Sequence, residues 1–175
     1  MAILGVDDFK SKLTGGGARP NLFKVTCNFP TYVGADVEKA SFMVRAAQLP
    51  ASILGMVEVP FRGRKLMMAG DRSFEAWTIT VLNDTDFAVR DAFEIWSNGI
   101  NAHSANTGLA NPTDYFADMV VEQLDNSGST VKKYDFRGTW PSNVGAIELN
   151  YDEATAIEEF EVELQIQYWE SNTTS

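Results

Sequence analysis

Near its C-terminal end the chain reads Glu159-Phe160-Glu161-Val162-Glu163-Leu164-Gln165-Ile166-Gln167-Tyr168. Successive side chains of a strand point to opposite faces, so this alternation predicts one apolar face for a core and one face of Glu and Gln only. Such a strand needs partners, and the pattern recurs. Leu22 to Phe29 places Phe23, Val25, Cys27 and Phe29 inward, and Ser41 to Ala47 alternates Phe42, Val44 and Ala46 with Met43 and Arg45. These two runs are expected to pair antiparallel across a polar loop from Pro30 to Lys39. Phe74 to Leu82 puts Trp77, Ile79 and Val81 on one face and Thr78 and Thr80 on the other. Met119–Leu124 and Val131–Arg137 read as a hairpin turning at Asp125-Asn126-Ser127-Gly128, and Ile147, Leu149 and Tyr151 as one face of a further strand. Gly138 to Gly145 is expected to form a structured corner between them.

One helix interrupts the strands. Val89, Ala92, Phe93, Trp96 and Ile100 fall at helical spacing between Thr85 and Ile100, after a capping Asp84 or Thr85. The expected architecture is a mainly β fold, an antiparallel β-sandwich or barrel with one packed α-helix. Phe23, Trp77, Ile79, Val81, Phe93, Trp96 and Trp140 are its expected core anchors. Residues 1–19 read as a flexible N-terminal arm broken by Gly15-Gly16-Gly17, residues 20–170 as a single domain, and residues 171–175 as a C-terminal tail.

The connection from about residue 49 to 72 does not fit a compact domain. Connections beyond about 12–15 residues are uncommon there and often functional. This one is rich in apolar residues, which are costly in a solvated loop. It either folds back on the core or docks on another subunit. Val57–Val59 and Lys65–Met68 can pair as a hairpin around Pro60 to Arg64, with Arg62, Arg64 and Lys65 near the tip.

The formal charge of −10 argues against a protein held to nucleic acid by phosphate neutralisation. Its distribution says more. Residues 1–72 hold ten Lys/Arg against six Asp/Glu, and the remainder four against eighteen. A basic and an acidic pole suit head-to-tail association, which yields rings or filaments. Chemistry-bearing patterns are lacking. The triple glycine is not followed by Gly-Lys-Ser/Thr, His103 is the only histidine, and the lone Cys27 sits on a strand where an inert buried thiol is expected. No enzyme, cofactor or metal site is expected. The N-terminus does not read as a signal peptide, and no apolar run reaches the roughly 20 residues that span a bilayer.

Several blocks resemble the tail tube protein of T4-type contractile-tailed phages. They are Ala18-Arg19-Pro20-Asn21-Leu22-Phe23, Leu49-Pro50-Ala51, Ala69 through Asp84, Gly138 through Gly145, and the run from Phe160 through Tyr168-Trp169-Glu170. They occur in the family's order and span Arg19 to Glu170. The N-terminus, the His103–Asp114 loop and the tail after Glu170 depart from it. The resemblance implies a structural virion protein whose hexameric rings stack head to tail into a hollow tube, made in the host cytoplasm. It implies a sheath, baseplate hub, tape measure and tail terminator as partners, and genomic DNA that transits without specific binding. A tube subunit of a phage-derived contractile injection or secretion system is the alternative.

Two sets of site residues follow from joining the resemblance to the sequence patterns. Ile53, Leu54, Val57, Phe61, Arg62, Arg64, Lys65 and Arg72 are expected on an arm that reaches a neighbouring ring, its cations meeting carboxylates there. Glu159, Glu161, Glu163, Gln165 and Gln167 are expected to line the lumen, since a wall without cations does not hold phosphates.

Overall fold

The structure is a computed structural model that describes residues 5–153 and 155–174. An exposed helix, α1 (Val6–Lys12), opens the chain, with Asp7 and Asp8 in its first turn and Lys10 and Lys12 in its last, as the helix dipole favours. Gly15, Gly16 and Gly17 follow at positive φ. Strand β1 (Phe23–Cys27) then enters the body, and α2 (Val37–Met43) runs into β2 (Val44–Ala47).

Here the structure departs from the expected first pair. Residues 37–43 are helical because the Asp36 carboxylate caps them, accepting from the Glu38 and Lys39 amides at 3.0 and 3.1 Å. Phe42, placed inward by the alternation, is 79% exposed on this helix. Strands β1 and β2 do not pair. Ser41 Oγ bridges instead, donating to Val37 O at 2.6 Å and accepting from the Cys27 amide at 3.1 Å.

Next come β3 (Ile53–Phe61) and β4 (Arg64–Ser73), which pair only with each other, then β5 (Trp77–Leu82), α3 (Ala88–Ile100) and the one-turn α4 (Pro112–Tyr115). Strands β6 (Ala117–Leu124), β7 (Thr130–Val144), β8 (Glu159–Gln165) and β9 (Tyr168–Ser171) complete the chain. The β6–β7 hairpin forms as expected. Asp125 Oδ1 builds its turn by accepting from the amides of Ser127 and Ser129 and the Ser127 hydroxyl, which hold its carboxyl below the usual range.

The body is two antiparallel sheets that share β7. Its first part lies between β6 and β9, with β1 beyond β6; its end, from Trp140, pairs with β8, beyond which lie β5 and β2. The expected corner at 138–145 is therefore a strand changing sheets. Gly138 makes the bend at φ 61°, where an added Cβ would lie 2.7 Å from Gln167 Cγ. The last strand breaks at the same level. Ile166 is buried, the Gln167 amide donates to Arg137 O at 3.1 Å, and β9 rejoins β7 in the other sheet. Tyr168 consequently faces out, against the strict alternation.

Between the sheets lie Val25, Met119, Val121 and Phe136 from one side and Trp77, Ile79, Val81, Phe160, Val162 and Leu164 from the other. Trp77 stacks on Phe136 with centroids 4.4 Å apart. Helix α3 buries Val89, Ala92, Phe93 and Trp96, as its spacing predicts. Phe23 and Trp140 are half-buried at the margin. The strand expected at Ile147–Tyr151 does not form. Strand β8 already has β5 and β7 as neighbours, so the segment cannot pair beside the strand it leads into, and Leu149 and Tyr151 stand in solvent. No helix among the described residues is long and apolar enough to cross a membrane.

Lys39 ties α2 to the loop before α3, bridging Asp84 at 3.2 Å and Asp86. The Thr85 amide and Lys39 lower Asp84, Lys39 and the Ala88 amide lower Asp86, and Asp86 raises Lys39. Carboxyls depressed in the folded state add stability above their ordinary value of 3.8 that is lost as pH falls through the folded value. The raised Lys39 adds stability below 10.5 that is lost only as pH climbs through its folded value. Lys39→Met should therefore melt with a shallower acid slope than wild type below about pH 4. Parallel melting curves across that range would refute the assignment.

Candidate assembly surfaces

The β3–β4 hairpin stands apart from both sheets. Its register pairs Val57 with Met68, Glu58 with Met67, Val59 with Leu66, Pro60 with Lys65 and Phe61 with Arg64. Only Arg62 and Gly63 remain for the turn, both at positive φ (45° and 81°), the conformation of tight two-residue hairpin turns. Paired residues share a face, so Val57, Val59, Phe61, Leu66 and Met68 make one nearly continuous apolar face ending in Arg64. Glu58, Pro60, Lys65 and Met67 lie on the other, where Lys65 bridges Glu58 at 2.5 Å. Leu54, Met56, Val57, Val59, Phe61, Leu66, Met67 and Met68 are all exposed. One residue bulges at Gly70-Asp71 opposite Gly55, and the two glycines let the backbones close there.

The hairpin anticipated from the sequence thus exists, with a tighter turn and a longer ladder. It gathers Val57, Phe61, Arg62, Arg64 and Lys65 toward one end. Ile53, half-buried, and Arg72, which donates to Ser52 Oγ at 2.8 Å, belong to the root instead. Arg72 lies eight positions along β4 from Arg64, on the order of 25 Å. The root is anchored by two indoles. Trp77 Nε1 donates to Gln48 O at 2.7 Å and Trp169 Nε1 to Ala51 O at 3.2 Å.

A second surface is the solvent face of the β2-β5-β8-β7 sheet. Glu159, Glu161 and Glu163 pair with Leu82, Thr80 and Thr78, and Gln165 with Trp140. Gln165 Nε2 reaches Ser142 Oγ and Glu163 Oε1. Arg45 neutralises Glu159 at one corner. Gln167 is not on this face, having been carried off by the break before β9. Among the described residues, β2 and the end of β7 each have one strand edge unpaired, so this sheet is open at both sides.

The first of these surfaces is apolar and the second acidic. Cys27 is buried, and burial pushes its thiol up to about 12, far from a nucleophile. An apolar projecting hairpin on a body with open sheet edges leaves adhesive surfaces that call for a neighbour. Comparison with known proteins agrees. The profile of the family described as "Phage tail tube protein" matches residues 18–172. The chain is 38% identical to tail tube protein gp19 of Enterobacteria phage T4 over 167 residues, 94% of this chain and 99% of that protein. It is 31% identical to the tail tube protein of Serratia phage KSP90 over 164 residues, 91% and 93% of the two chains. Among solved structures, one described as the sheath/tube terminator of the extracellular contractile injection system PVC shares the fold at TM-score 0.64 and 12% identity, covering 86% of this chain and 93% of that one. A chain of the PVC sheath–tube complex does so at 0.63 and 12%, covering 93% and 96%. This chain belongs to the phage tail tube protein family.

Proposed function

We infer that this chain is a structural subunit that polymerises into the tail tube of a contractile-tailed phage virion. Rings closed by the open sheet edges stack through the hairpin into a conduit for DNA. The observation that carries the reading is the hairpin, an ordered two-stranded sheet with an exposed apolar face, in a chain of the tail tube family. A hairpin of this kind is marginal in isolation and calls for a neighbour. Sheath and terminator partners are supported by the similar structures, whose descriptions name them.

In this reading the Glu face of β8 lines the bore. Lysine or arginine on the wall would displace counterions from passing phosphates and hold the DNA. The face carries Glu161, Glu163 and Gln165, and its one arginine, Arg45, is spent on Glu159. Electron microscopy of the purified protein should reveal hollow tubes, and a reconstruction should place Glu161 and Glu163 on the bore. Compact monomers under every condition would end the tube reading; tubes with these residues outside would end only the lumen assignment.

A further inference from the structure

The segment between β7 and β8 is a second exposed feature that the fold does not explain. It crosses the end of the sheet where Leu82 pairs with Glu159, while the hairpin leaves from the other end, beside Trp77 and Gln48. The two therefore lie at opposite ends of one sheet, as the two halves of a head-to-tail contact must. The segment walls a groove of about 1090 Å³ with Leu82, Leu149, Tyr151 and Ile157. Leu149, Tyr151 and Ile157 are 80%, 106% and 68% exposed, three large apolar side chains left in solvent on one short segment. Glu148, Asp152 and Glu153 meet no cation among the described residues. The only cation lining the groove, Arg45, is held by Glu159.

The hairpin tip is its complement. Phe61, Val59 and Leu66 offer an apolar wedge, Arg62 lies over the Phe61 ring at 5.3 Å, and neither Arg62 nor Arg64 meets a carboxylate among the described residues. We propose that the groove walled by Leu149, Tyr151 and Ile157 receives the hairpin tip of a second copy of this chain in the next ring, Phe61 entering among those three and the two arginines facing Glu148 and Glu153. This rests on the stacked-tube reading and names its acceptor. Apolar burial supplies the adhesion, and the charges fix register and direction.

Charge reversal with rescue tests it. Arg62→Glu/Arg64→Glu and Glu148→Arg/Glu153→Arg should each raise the protein concentration needed for tubes at least about tenfold, and the four changes together should restore assembly, since like charges repel across a contact and opposite ones steer it. Normal tubes from the Glu148→Arg/Glu153→Arg chain overturn the proposal, as does a folded four-change chain that fails to recover. Absence of tubes from the unaltered chain instead strikes the reading beneath it. Where a reversal prevents folding, the pair Phe61→Cys/Tyr151→Cys replaces it, Cys27 being buried. Oxidised tubes should then give a reducible ladder running past a single ring. A ladder ending at one ring places the hairpin on a ring-mate, and no ladder at all removes the contact; either overturns the proposal.

Discussion

Replacing residues 54–72 with a short Gly/Ser linker yields a chain that melts like wild type and forms no tubes. Ile53 and Ser73 are directly paired, so their Cα atoms lie about 5 Å apart and a brief turn joins them. The body loses little, because β3 and β4 pair with neither main sheet and the core draws nothing from them. Assembly loses its adhesive. Fully burying a Val, Leu, Met or Phe side chain is worth roughly 1.5–3 kcal/mol, so covering even three or four of the exposed hairpin residues contributes on the order of 5–10 kcal/mol per contact before entropy costs. Melting curves and sedimentation with negative-stain imaging measure the two halves separately. Tubes that persist without the hairpin would refute its stacking role. A collapsed melting temperature would show that the hairpin belongs to the fold.

The hairpin was legible because two apolar runs meet at a Pro60–Arg64 turn segment containing Gly63, although the sequence left open what the hairpin packs on. The cores of β5 and β8 were legible because a single period governs each, and α3 because Phe93 and Trp96 sit at helical spacing; β6 alternates only weakly in sequence, and its buried Ala117, Met119 and Val121 are not singled out there. What failed had competing local signals. Phe42, Val44 and Ala46 alternate, yet the Asp36 cap commits 37–43 to a helix and leaves only four residues of strand. The partner of β1 is β6, almost a hundred residues on, and no local pattern records which edge a strand will join. Ile147, Leu149 and Tyr151 alternate like a strand, but β8, the strand they lead into, is already flanked on both sides. Ile147 packs against the core while Leu149 and Tyr151 stand exposed, a division visible only once β8 has its two neighbours. Gln167 left the Glu face because Gly138 moves β7 between sheets and β9 has to follow it.

Trp77→Ala should be the most damaging single substitution at the joint between body and hairpin. Trp77 is 3% exposed and stacked on Phe136, and its indole N–H satisfies the Gln48 carbonyl at 2.7 Å. Truncation leaves a cavity that the two sheets cannot close without moving β7, which both need. Large aromatic truncations cost about 3–5 kcal/mol, much of a stability of about 5–15 kcal/mol. For a chain of this length that is a fall of roughly 6–20 °C in Tm. Trp77→Phe separates packing from tethering. It keeps a ring against Phe136 and removes only the bond to Gln48, so its Tm should fall by less than half as much. Protease or hydrogen-exchange protection at residues 48–53 should still drop, because Trp169 alone then holds the root. If the hairpin must be aimed to find its groove, Trp77→Phe also slows tube growth at unchanged fold. A wild-type Tm for Trp77→Ala would contradict the packing account. Full root protection in Trp77→Phe would mean the indole N–H tethers nothing.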